Sequence, residues 1–191
     1  MKLAQTHSMP LAITKVDDMP DNVLDALKNA GTTKVLVLGG QSAVSDAVVE
    51  ELKKEGITVE KRFAGADRAQ TSTMLARYAI ETYGFSNTAV NVASGYVKGS
   101  GADALGGAAL TGKQQRALLI TKSDDTAGTA ILGFLDDFAE TLEEGVIFGG
   151  TSALTESLEL TLEKTVLGSG AQIGNELYDT PQAALDAAEK G

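Results

Sequence analysis

Between Arg62 and Thr71 the chain gathers two guanidinium groups, one carboxylate and one hydroxyl around a glycine, in the order Arg62-Phe63-Ala64-Gly65-Ala66-Asp67-Arg68-Ala69-Gln70-Thr71. Guanidinium forks donate two parallel hydrogen bonds to carboxylates and phosphates, so an anion would be held here if anywhere. A structural reading is at least as well supported, in which Asp67 pairs with Arg62 or Arg68 and fixes the turn. No histidine or activated nucleophile stands beside these residues to complete a catalytic set, so the chemistry on offer is binding.

Other motifs are weaker. Gly99-Ser100-Gly101-Ala102-Asp103-Ala104 fits the G-x-G-x-x-A pattern of a dinucleotide site, with Asp124 roughly twenty residues on. A true fingerprint turns tightly off its strand, whereas the loop from Ser94 to Gly101 is long. Gly107 to Lys113 nearly matches a phosphate-binding loop, but Gln114 stands where Ser or Thr must hold magnesium, and the segment closes a helix instead of opening one. Its glycines and alanines suit close packing. His7 has no evident partner. The pairs Asp17-Asp18 and Asp124-Asp125 offer oxygens to a hard cation such as calcium, but each follows a strand and precedes a helix, where acidic groups also favour the helix N-terminus. The structural reading leads, and the expectation is no cofactor, with calcium the one candidate metal.

Composition limits the partners. Sixteen Lys and Arg against 26 Asp and Glu give a formal charge of −10, which repels nucleic-acid phosphates. Contact with any anionic polymer must therefore use a local cationic spot or a bridging cation. The chain has no cysteine, which removes disulfides and thiolate chemistry. No apolar run nears the roughly 20 residues of a membrane span, and the start, Met1-Lys2-Leu3-Ala4, is not a signal peptide. An export signal, if there is one, lies outside these residues.

The elements that must carry these residues alternate. Pro20, Val23, Leu24 and Leu27 before Gly31 predict an amphipathic helix. Val35 to Leu38 predicts a buried parallel strand ending in Gly39-Gly40. Ser45 is placed to cap a helix presenting Val44, Val48 and Leu52 and ending at Gly56. A strand at Ile57 to Val59, a helix from Thr71 to Tyr83, a strand at Val90 to Ala93, a helix from Ala102 to Thr111 and a strand at Leu118 to Thr121 follow. Regular alternation implies parallel strands with right-handed crossovers, hence a three-layer α/β fold with a mostly parallel sheet flanked by helices.

The alternation repeats. Leu11-Ala12-Ile13-Thr14-Lys15 returns as Leu118-Leu119-Ile120-Thr121-Lys122 at an offset of 107, and the run into Gly39-Gly40-Gln41-Ser42-Ala43 returns as Val146-Ile147-Phe148-Gly149-Gly150-Thr151-Ser152-Ala153 at an offset of 110. A fainter match sets Ala69-Gln70-Thr71, opening a helix, against Tyr178-Asp179-Thr180, at 109. The expected organisation is a first unit over residues 1–116, permuted so that it begins in mid-repeat, and an incomplete, degenerate second unit over residues 117–191.

In order, Val35 to Asp46, Arg62 to Thr71 and Ala102-Asp103-Ala104-Leu105 resemble the signatures of the cell wall binding repeat 2 family: an apolar strand into Gly-Gly-x-Ser-Ala-Val-Ser, then Arg-x-x-Gly-x-Asp-Arg-Tyr-x-Thr, then Pro-Asp-Ala-Leu-Ser. The resemblance covers nearly all of residues 1–167. It implies toprim-like units, commonly three in tandem around a pseudo-threefold axis, that attach secreted surface proteins of Gram-positive cells non-covalently to anionic wall polymers. On that resemblance Arg62, Gly65, Asp67, Arg68, Thr71 and Asp103 are the candidate contacts with polymer or with further repeats of the same protein. Ala69 replaces the family's Tyr, Ala102 its Pro and Gly106 its Ser, and the second copy lacks the arginine-rich signature. The function expected is a non-catalytic envelope anchor. Two alternatives stand beside it: a nucleotide- or phosphosugar-binding enzyme using the 94–103 loop, and a spacer or adhesin segment of a surface protein.

Overall fold

The structure is a computed structural model, and it describes residues 9, 11–96, 101–122, 128–167, 171–173, 176–178 and 187. Its elements run α1 (Asp21–Asn29), β1 (Lys34–Leu38), α2 (Asp46–Lys54), β2 (Thr58–Phe63), α3 (Arg68–Tyr83), β3 (Ala89–Ser94), α4 (Gly101–Lys113), β4 (Ala117–Thr121), α5 (Thr129–Asp137), β5 (Glu144–Phe148), α6 (Glu156–Leu167), β6 (Ala171–Ile173) and β7 (Glu176–Tyr178). The fold is α/β with parallel strands flanked by helices, as the alternation requires. The strands are divided, however, between small sheets: β1 pairs with β2, β4 and β5 lie on either side of β3, and β6 and β7 form an antiparallel pair.

Helix positions follow the apolar spacing. In α1, Leu24 and Leu27 are buried, and in α2, Val48 and Leu52. These side chains close the first core with Met19 and Ile57. α3 buries only small residues, Ala69, Thr73, Ala76 and Ala79, so it can lie close to the sheet. Gly84 ends it with φ +63, a left-handed turn that a side chain would resist. β3 is buried at all six positions because it is the central strand and is covered on both faces. Around it, Leu119, Ile131, Phe134 and Leu158 form the second and larger core, and each such side chain contributes about 1.5–3 kcal/mol by leaving water.

Both copies of the strand–loop–helix repeat fold alike. Gly39 and Gly149 have φ of +125 and +122. Gly40 and Gly150 each accept from two backbone amides, those of Ala43 and Val44 in one copy and of Ala153 and Leu154 in the other. A repeat in sequence is not a separately closed sheet: β4, which opens the second copy, pairs along its whole length with β3 of the first.

Four expectations are corrected. The helix expected from Thr71 starts at Arg68, because Asp67 caps it. Ser45 occupies the N-cap position of α2, but its side chain makes no capping hydrogen bond. Residues 11–15 form no strand ladder, although their counterparts 118–121 do. Tyr178, expected to open a helix, ends β7, and Asp179 and Thr180 lie outside the described residues.

Candidate functional site

The Arg62 to Thr71 turn joins β2 to α3, and nearly every polar group in it is committed to the turn. The Arg62 guanidinium donates to the carbonyl oxygens of Gly39 (3.0 Å) and Val44 (2.7 Å), and lies 3.6 Å from the Asp46 carboxylate. It thereby ties the end of β2 to both sides of the loop that leaves β1. Asp67 accepts from the Gln70 N–H at 2.9 Å and so satisfies one of the donors left bare at a helix start. Thr71 Oγ1 donates to the Asp67 carbonyl (2.9 Å) and accepts from the Gly65 N–H (3.0 Å). Gly65 has no room for a side chain: a Cβ there would sit 2.5 Å from the Thr71 nitrogen. Asp67 therefore fixes the turn by capping α3 and not by pairing with Arg62, whose acidic partner is Asp46.

Arg68 is different. It is exposed, donates to the Gly95 carbonyl at 2.6 Å, and holds its guanidinium carbon 5.8 Å from the centre of the Tyr96 ring. From the end of β4, the Lys122 ammonium lies 6.0 Å from the same centre. Two cations thus converge on one aromatic ring at the start of α3, whose partial positive end adds to them. The Tyr96 hydroxyl accepts from the Ala69 N–H at 3.2 Å. Burial pushes its pKa above the ordinary phenol value; the Ala69 amide works the other way, and a hydrogen bond to Asp67 adds to the rise. The ring therefore stays neutral and can stack under a cation at any physiological pH.

Asp103, the remaining candidate, lies in the first turn of α4. It lies beside the second Gly-Gly loop: a Cβ built on Gly149 would be 3.1 Å from Asp103 Oδ2. The next residues, Ala104 and Leu105, line a cleft of about 640 Å³ together with Gly40, Gly65, Arg68 and Thr71. The fold thus brings Gly65, Asp67, Arg68 and Thr71 to one cleft, sets Arg62 outside its lining as a brace, and places Asp103 at the other loop. Lys122 was not among the residues picked out by sequence. The signal that could have found it is the repeat itself, since Lys15 and Lys122 are counterparts.

The other candidates are quickly placed. Gly107 packs flush against Phe148, as a close-packing glycine should, whereas Gly106 faces open space. Asp18 forms an exposed ion pair with Lys15 at 2.7 Å. His7, residues 97–100, Asp124 and Asp125 lie outside the described residues. Among the described residues no three His, Cys, Asp or Glu side chains gather to hold a metal, and no helix is long and apolar enough to cross a membrane.

Comparison with known proteins agrees with this geometry. The family described as "Cell wall binding domain 2" matches residues 62–159, from the Arg62 brace to beyond the second Gly-Gly loop. The N-acetylmuramoyl-L-alanine amidase LytC of Bacillus subtilis is 23% identical over 167 residues, which span 86% of this chain and 30% of that protein. An uncharacterized protein of Pyrococcus horikoshii, PH0614, is 28% identical over 155 residues, spanning 81% of this chain and 43% of that one. Among solved structures, Cwp6 from Clostridium difficile superposes with a TM-score of 0.73 at 24% identity, over 86% of this chain and 25% of that one. Cwp8 from the same organism gives 0.65 at 21%, over 87% and 26%. The likeness to the two solved structures is one of fold, and the chain spans less than half the length of each of these relatives.

Proposed function

Because the chain belongs to the cell wall binding domain 2 family, and is thereby a cell-wall-associated module, we propose that it is a non-catalytic anchor that holds a larger surface protein on anionic wall polymer. The observation that carries this reading is the pair of cations on Tyr96. Overall charge of −10 opposes an anionic polymer, so attraction must be local, and Arg68 and Lys122 supply two positive groups at a helix N-terminus, where anions are favoured. Arg62 is not the contact in this scheme. It is a brace, half-buried and bound to two carbonyls, that keeps the Gly39-Gly40 loop beside the cleft.

The test is retention on purified Gram-positive cell walls, with and without prior removal of the anionic polymers. Arg68→Ala/Lys122→Ala should lose retention while its melting temperature stays near that of the parent. Retention that is unchanged by this double substitution, or by stripping the polymer, would sink the proposal. Calcium enters as a bridging cation between polymer and acidic surface, and retention that survives a chelator would dispose of that part alone.

A further inference from the structure

Along one face of the β3–β4 ladder the register sets Val90 opposite Ala117, Val92 opposite Leu119 and Ser94 opposite Thr121. The first four of these side chains belong to the second core, and the last two stand at its end. Ser94 and Thr121 are both fully buried, and neither hydroxyl oxygen has a hydrogen-bond partner among the described residues. A buried hydroxyl left unpaired destabilises a fold, and alanine or valine would fill the same space without that cost. Two such groups side by side, where strands end and α/β sheets place their ligands, call for a partner from outside the chain.

Tyr96 lies above them. Gly95 leans over the end of β4: its N–H donates to the Thr121 carbonyl at 3.1 Å, and it has no room for a side chain against Ile120. From there the Tyr96 ring packs on the second core and carries its hydroxyl to the Ala69 N–H, in the first turn of α3. Because α3 flanks β4, where Ser72 Oγ accepts from the Ile120 N–H at 2.9 Å, the ring spans the end of β4. Its hydroxyl ends on a helix-start amide, a place that suits an anion, and Arg68 and Lys122 stand beside it. The phenol oxygen thus holds the position that an anion's oxygen would take.

We infer that Ser94, Thr121 and the Ala69 N–H form the inner half of an anion site and that the Tyr96 side chain is its displaceable cover. An incoming phosphate group takes the place of the phenol, with Arg68 and Lys122 gripping it from outside and the two hydroxyls and the amide donating to it from below. The inference rests on the reading of Arg68 and Lys122 as the polymer contact. Two cations at the site repel a metal ion as the partner. A phosphate's tetrahedral oxygens accept from donors on both sides at once, whereas a planar carboxylate presents its two oxygens to one. Hydrogen bonds to a charged oxygen are about twice as strong as those between neutral groups, which offsets the lost contact of Tyr96.

Glycerol 3-phosphate is titrated into the full chain at low ionic strength and followed by calorimetry, with acetate as the carboxylate control. Saturable binding of the phosphate is expected, with the Ala69 amide resonance moving in step. Ser94→Ala/Thr121→Val should weaken it about tenfold or more, while the melting temperature matches or exceeds that of the parent, since the free chain loses no bond. Tyr96→Phe should bind more tightly than the parent, because no hydroxyl then competes for Ala69; a purely structural hydroxyl gives no such gain. No phosphate binding, acetate binding equally well, or phosphate binding indifferent to Ser94→Ala/Thr121→Val overturns the inference, and the anchoring reading stands if Arg68→Ala/Lys122→Ala still abolishes wall retention. A lower melting temperature of the hydroxyl variant overturns it too, because the hydroxyls then hold a partner, such as buried water, that belongs to the fold.

Discussion

Two adjacent glycines in α4 should respond to the same substitution with opposite signs. In a helix interior Gly→Ala gains about 1 kcal/mol because alanine loses less backbone entropy. At Gly106 a Cβ meets nothing within 4 Å, so the full gain should appear. At Gly107 the Cβ would lie 2.3 Å from two atoms of the Phe148 ring and 2.6 Å from a third, its Cγ. Comfortable carbon contacts are about 3.5–4.0 Å, and Cγ is the root of the ring, so rotation alone cannot clear it. Overpacking of this kind costs about 1–3 kcal/mol, which leaves Gly107→Ala between neutral and about 2 kcal/mol destabilised. The helix-propensity gain cancels in the comparison, so the two variants should differ by about 1–3 kcal/mol, or about 3–10 °C in melting temperature for a chain of this size. Circular dichroism melts, with urea unfolding as a check, measure it. Adding Phe148→Leu to Gly107→Ala should recover part of the loss, a coupling expected of residues in contact. If both alanines stabilise the chain equally, α4 does not lie flush on β5, and the placing of Asp103 beside the Gly149 loop fails with it.

Other perturbations test the turn and the first sheet. Arg62→Ala removes two charge-assisted hydrogen bonds and should cost about 2 kcal/mol in urea unfolding; Arg62→Lys should restore only part of it, since both carbonyls accept from one guanidinium nitrogen, which an ammonium can imitate, while the second nitrogen that faces Asp46 is lost. Faster amide exchange at residues 40–46 would locate the damage, and unchanged exchange there would refute the bracing role. Asp67→Ala should cost about 1 kcal/mol, with Asp67→Asn costing less, because the amide oxygen can still accept from Gln70; equal losses would argue against a cap. The Tyr78 phenol, raised to about 12 first by burial and then by hydrogen bonds with Glu60 and Tyr83, starts from an ordinary value of about 10. Its contribution to stability is therefore complete below pH ~10 and lost as pH rises through ~12. Ultraviolet titration should show a late-ionising tyrosine that Tyr78→Phe removes.

Much of the fold was legible because its signals are local. Leu24, Leu27, Val48 and Leu52 mark helix faces by spacing alone, and the Gly39-Gly40 loop announces its own repeat at Gly149-Gly150. The helix expected from Thr71 starts three residues earlier, at Arg68, because Asp67 caps it, and residue type alone does not separate an ion-pairing aspartate from a capping one. The turn signature could be read as a unit, but not which of its arginines braces and which faces solvent. That division depends on where the carbonyls of Gly39, Val44 and Gly95 lie, and those residues are 18 to 27 positions away in sequence.

By itself the sequence determined the alternation of strand and helix, the repeat, the net negative charge and the signatures of the family. Each of these follows from residue type and spacing along the chain, which need no partner in space. Only the tertiary structure decided which strands meet. Residues 11–15 and 118–121 share a pattern, but a strand exists only where a neighbour completes its hydrogen bonds, and β3 provides one for the second copy alone. The same dependence on a partner brings Lys122 to Tyr96 and Arg68, three residues from three segments that only the packing of α3 against the β4-β3-β5 sheet sets together.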